Sequence, residues 1–185
     1  KSRMAIHFVE WSSFCRLYFT HFDIPSSQQT YVQANPTDLI KAIELADALR
    51  LYDVQYHDGG TVQQEAVKSY KSAISLALIK KQKALENGEA TKSTNVPAEL
   101  MLNYSSKSID GILCSLYTNL GKIYFMSNMF EAAVDSYTEA LNVEPIYLDA
   151  MASRGSSRII LGQYEEAAVD FTTVMDNDDE GRFLD

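Results

Sequence analysis

Slid along itself by 34 residues, the C-terminal part of this chain matches itself. Gly121 falls on Gly155, Phe130 on Tyr164, Ala133 on Ala167, Tyr137 on Phe171 and Ala140 on Val174. The stretches around these pairs agree in character. Leu120-Gly121-Lys122-Ile123-Tyr124, Phe130-Glu131-Ala132-Ala133 and Ser136-Tyr137-Thr138-Glu139-Ala140-Leu141 close at Glu144-Pro145. One period on stand Arg154-Gly155, Tyr164-Glu165-Glu166-Ala167-Ala168 and Asp170-Phe171-Thr172-Thr173-Val174-Met175. A period of this length exceeds one secondary-structure element and falls short of a domain. It constrains the chain to a stack of similar supersecondary units, each covering the apolar face of the next.

Length and composition permit such a stack. At 185 residues, 46% hydrophobic and 22% charged, the chain can bury a sizeable core, and disorder over most of its length is not expected. The formal net charge of −9 argues against a nucleic-acid binder, which needs a basic surface to displace counterions from phosphates. Cys15 and Cys114 are too few for a disulfide framework. Both sit in apolar sequence and read as buried, reduced thiols, which fits an intracellular, reducing compartment, cytoplasmic or organellar. No stretch reaches the roughly 18 to 20 uninterrupted apolar residues of a membrane span. Residues 4–22 come closest and are broken by His7, Glu10, Arg16 and His21.

Residues 1–24 carry Met4, Phe8, Trp11, Cys15, Tyr18 and Phe22 at spacings of three and four, which predicts an aromatic-rich helix; short alternation around Ile6–Trp11 also permits a strand. Ile24-Pro25-Ser26-Ser27 reads as a linker. Leu39, Ala42, Ile43, Ala46 and Leu49 mark a second helix that His57-Asp58-Gly59-Gly60 stops. A third runs from about residue 62 to 86, and its Ala66, Tyr70 and Ala73 match Ala133, Tyr137 and Ala140. Residues 36–87 thus read as an irregular first hairpin with a widened turn, 88–97 as a polar loop, and 98–127 as a helix, continuous or broken near Ser105–Ser106, that runs into the clear repeats. Residues 182–185 are a tail.

With Gly121, Ala133, Tyr137, Ala140 and Pro145 at these offsets and repeated 34 residues on, the chain resembles the tetratricopeptide repeat family over residues 114–147 and 148–181. The resemblance implies an all-α fold, a right-handed α-solenoid of stacked helical hairpins with about seven to nine helices. In each hairpin Gly121 is expected to meet Ala133, and Gly155 to meet Ala167, where two backbones approach closely. The second repeat departs from the pattern at Arg158, where tyrosine or leucine is usual, and at Asp179, where proline is usual. The resemblance also implies a non-catalytic protein-interaction module whose inner groove is lined by the exposed faces of the first helices. On this chain that face is Ser115, Thr118, Asn119, Lys122, Phe125 and Met126, then Asp149, Ala152, Ser156, Ile159 and Ile160. It is apolar enough to take a helix or an extended peptide.

Phe8, Trp11 and Tyr18 form a second candidate docking face, toward the stack, a protein partner or the periphery of a membrane. Chaperone-binding relatives clamp a C-terminal carboxylate through asparagine and basic residues. Asn119 matches, but Asp149 stands where a cation is needed and repels a carboxylate. His7, His21 and His57 lack metal-ligand spacing, and Asp176–Gly181 coincides with the turn expected after the last hairpin, so no metal or cofactor is expected. Nor does a phosphate loop or catalytic dyad stand out. The expected role is an adaptor, or a scaffold subunit of a larger assembly. A regulatory module of an enzyme whose catalytic domain lies elsewhere and a chaperone cofactor are the alternatives.

Overall fold

The computed structural model describes residues 39–56, 61–86, 108–178 and 181. These form six helices and no strand: α1 (Leu39–Tyr56), α2 (Thr61–Glu86), α3 (Ile109–Met126), α4 (Phe130–Val143), α5 (Leu148–Ile160) and α6 (Tyr164–Asn177). The N-terminal aromatic segment with Phe8, Trp11 and Tyr18, the loop at 88–97, the three histidines, Cys15 and the tail lie outside the described residues. Each helix packs on the next, and α3 also touches α5. The described residues are therefore three stacked hairpins, an all-α helical-repeat solenoid.

The two clear hairpins turn in the same way, bond for bond. The amide of Ser127 donates to the carbonyl of Ile123, that of Asn128 to Phe125 and that of Met129 to Tyr124. One period later Leu161 donates to Ser157, Gly162 to Ile159 and Gln163 to Arg158. The turn needs one residue in the left-handed region, supplied by Asn128 at φ 59° and by Gly162 at φ 75°. Asparagine and glycine are the residue types that enter that region at least cost. Glu144 is extended before Pro145, which ends α4 at Val143.

The atoms nearest to a side chain at Gly121 belong to an aromatic ring of the facing helix. A Cβ on Gly121 would lie 2.5 Å from Cε1 of Tyr137, and one on Gly155 would lie 2.9 Å from Cζ of Phe171. The glycine of the first helix is a seat for the aromatic ring of the second. Ala133 and Ala167 are buried in the same hairpins.

The first hairpin differs from the other two in the length of its second helix, and its turn at 57–60 lies outside the described residues. Helix α1 runs to Tyr56 and α2 extends over 26 residues. Ala66, Tyr70 and Ala73 are fully buried, as their repeat matches require. The Tyr70 hydroxyl donates to Asp47, and Arg50 Nε donates to the same hydroxyl at 3.3 Å, so the largest buried ring of this hairpin is polar-satisfied. At the other edge α2 runs antiparallel to α3. Lys81 pairs with Asp110 at 2.7 Å near the start of α3, and Ser127 donates to Gln63 at 2.9 Å near its end. Of the helix expected over 98–127, residues 98–107 lie outside the described residues; α3 itself starts at Ile109, capped by Ser108, whose hydroxyl accepts from the amide of Gly111 at 3.1 Å.

Cys114 is a free, buried thiol that donates to the carbonyl of Ala140 at 3.5 Å. Burial, reinforced by Glu144 and Asp110, pushes its pKa from 9.0 to about 12. Burial likewise raises Tyr137 to about 12 and moves Tyr70 upward. A pKa raised by folding contributes stability that is complete below the unfolded value and is lost as pH climbs toward the folded one. The urea midpoint should accordingly be level from pH 7 to about 8.5 and fall steadily between about pH 9 and 12. Cys114→Ala should remove the earliest part of that fall; a wild-type midpoint unchanged at pH 10.5 would contradict the assignment.

Candidate functional site

The residues read as an inner groove divide into two sets. Ser115 and Thr118 are buried and do not face a groove. Ser115 Oγ lies 3.1 Å from the Tyr147 hydroxyl at the start of α5, and Thr118 donates to the carbonyl of Cys114 at 2.7 Å. The correction has a simple cause. The first half of α3 is enclosed by α2, α4 and α5, so a face that looks polar by periodicity is covered by neighbours.

The second set remains accessible. On α3, Lys122 and Met126 are exposed and Asn119 is half-buried. On α5, Asp149 and Ser156 are exposed, with Ile159 at 47% and Ile160 at 51%. Both isoleucines sit in the last turn of α5, where their repeat equivalents on α3 are Phe125 and Met126. Phe125 is half-buried, and its ring meets Phe130 edge-on with centroids 5.4 Å apart. Phe125 and Ala152 pack against the same apolar cluster, formed by Ala133, Tyr137, Ala140, Leu141, Ala150, Met151 and Val174. They support the groove more than they present a free surface. The accessible strip thus has apolar ends on both helices and polar residues between them.

Arg154 and Arg158, the cations nearest the groove's second repeat, are committed elsewhere. Asp170 on α6 is 2% exposed and holds both. Arg154 donates through Nη2 to Oδ1 at 2.6 Å and through Nε to Oδ2 at 3.0 Å, while Arg158 Nη1 donates to Oδ2 at 2.6 Å. This cluster escaped sequence reading, though its signal was visible. Two arginines four apart on α5 face an aspartate where the preceding repeat has Ser136. A charge at a position that is otherwise small and buried calls for a partner. The cluster locks α5 to α6 and leaves Asp149 as the exposed charge at the start of α5.

Among the described residues, no group of three or more histidine, cysteine, aspartate or glutamate side chains could hold a metal ion. No helix among them is long and apolar enough to cross a membrane.

A family model described as tetratricopeptide repeat matches residues 115–147. No curated protein matches the chain. Among solved structures, MamA superposes with a TM-score of 0.53 at 18% identity over 83% of this chain, which spans 66% of that MamA chain. The second tetratricopeptide domain of Spaghetti (RPAP3), solved with an HSP90 peptide, aligns at 20% identity with a TM-score of 0.44, over 81% of this chain and 96% of that one. MamA from Desulfovibrio magneticus RS-1, residue 41 to the end, aligns at 14% identity and 0.34, over 92% and 93%. The MamA likeness at 0.53 establishes a shared fold. Residues 115–147 thus match a tetratricopeptide repeat, and the hairpin one period on repeats its turn bond for bond.

Proposed function

We propose that the chain is a non-catalytic adaptor, or a scaffold subunit of a larger assembly, that binds a peptide or helix of a partner protein along the first helices. The observation that carries this reading is the exposure of Met126 and Ile160 at matching positions of successive repeats, with exposed Ile159 beside Ile160. Large apolar side chains repeated on one strip are a costly surface for a chain that keeps them free. Asn119, Lys122 and Ser156 beside them supply donors for a bound backbone. The reading includes a reducing intracellular setting, supported by the free thiol of Cys114. A chaperone-tail receptor of the usual kind is disfavoured, because Asp170 engages Arg154 and Arg158 and Asp149 repels a carboxylate.

The test is affinity purification with the wild-type chain and a Met126→Glu/Ile159→Glu variant, with Lys80→Glu as a surface control. The partner retained by wild type and control should be lost from the double variant, with an affinity drop of about tenfold or more and unchanged helicity by circular dichroism. Equal retention by all three would place the partner elsewhere.

A further inference from the structure

A cleft of about 490 Å³ opens on the side of α3 away from the groove, between α2 and α4. Its floor is Tyr117, Leu120 and Tyr124, a stripe at spacings of three and four, together with Ile74 from α2. The wall from α4 is acidic. Asp135 and Glu139 line it one helical turn apart, and Glu131 lies a further turn back, exposed like the other two. Like charges four apart on a helix destabilise it by a few tenths of a kcal/mol per pair. No ion pair among the described residues engages any of the three. Lys71, on the opposite wall, holds its ammonium over the Tyr124 ring, 5.9 Å from the centroid. The influence of Glu139 is felt within the cleft, where burial first and Glu139 second raise the pKa of Tyr117.

An apolar floor beside an acidic row that outnumbers the one lysine of the cleft and forms no ion pair with it defines what fits. We propose that the α2–α4 cleft is a second docking surface, which takes a basic amphipathic helix of a partner protein. An aliphatic or aromatic side chain of that helix rests on Ile74, Leu120 and Tyr117, and its lysine or arginine pairs with Asp135 and Glu139. Two surfaces on opposite sides of α3 would let one chain hold two partners. The surface is distinct from the groove, so the two readings stand or fall separately.

The probe is a dye-labelled peptide of leucine and lysine patterned as an amphipathic helix, titrated with the full chain and followed by fluorescence anisotropy at 0.15 M salt. Asp135→Lys/Glu139→Lys and the steric block Ser75→Trp should each weaken binding about tenfold or more. Glu165→Lys/Glu166→Lys, the same charge change on α6, and the groove variant Met126→Glu/Ile159→Glu should leave it within about twofold. Two results would overturn the proposal. One is no saturable binding by the wild-type chain. The other is equal loss from both lysine pairs with Ser75→Trp silent, which would mean general attraction to an acidic protein.

Discussion

Replacing Gly121 by leucine is expected to abolish the cooperative folding of the C-terminal hairpins. A Cβ at this position would stand 2.5, 2.8 and 2.9 Å from three carbons of the Tyr137 ring. Tyr137 is only 1% exposed and sits among Ala133, Ala140 and Leu141, so its ring has nowhere to go. Overpacking a tight core costs about 1 to 3 kcal/mol and more when nothing can yield, a large share of the roughly 5 to 15 kcal/mol that holds a domain together. A thermal melt followed by circular dichroism should lose its sigmoidal transition or shift down by more than about 10 °C. The alanine variants give a finer test. Alanine in place of a helical glycine gains about 1 kcal/mol of helix propensity. At Gly121 the clash should outweigh that gain and leave a net loss of about 1 to 2 kcal/mol. At Gly155 the nearest atoms are the far end of the half-buried Phe171 ring, at 2.9 to 3.2 Å, which can swing outward. Gly155→Ala should be close to neutral. Equal tolerance at the two positions would refute the ring-seat account.

Asp170→Ala is expected to cost about 3 kcal/mol, measured by urea denaturation, because it leaves two largely buried guanidinium groups without their anion. Arg154 and Arg158 are 16% and 19% exposed, so water cannot fully replace the lost carboxylate. The preceding repeat suggests the rescue. Leu120, Tyr124 and Ser136 occupy the equivalent places there and pack without charge. Arg154→Leu/Arg158→Tyr/Asp170→Ser should therefore recover most of the stability that Asp170→Ala loses. If the triple substitution is worse than Asp170→Ala, the ion cluster stabilises the hairpin beyond satisfying its own charges.

Much of the architecture could be read from spacing alone. The positions of the second helices followed from Ala133, Tyr137 and Ala140 and their copies, because side chains that must fit a constant interhelical gap recur at constant intervals. The matched turn residues Asn128 and Gly162 were also in the sequence, and a search for left-handed residues at equal offsets would have found them. The limits of the first hairpin's helices were legible as well, since the stop read at His57–Gly60 and the end read near residue 86 agree with α1 closing at Tyr56 and α2 at Glu86.

By itself the sequence determined the repeat, its phase, the helical class and the absence of a spanning helix from the described segments, since all of these depend on intervals along one chain. Only the tertiary structure decided which polar residues are accessible. Ser115 and Thr118 lie on the same helical face as Lys122 and Met126, yet the first pair is buried and the second exposed. The difference comes from Tyr147 and the start of α5 covering one half of α3, a contact across 32 residues that no local pattern encodes. The same holds for Gly121, whose ring partner Tyr137 lies on the facing helix, and for Asp170, which neutralises two arginines of the preceding one. Intervals specify which residues turn inward. What each then meets depends on how the helices cross, and that is settled by the packing of several side chains at once.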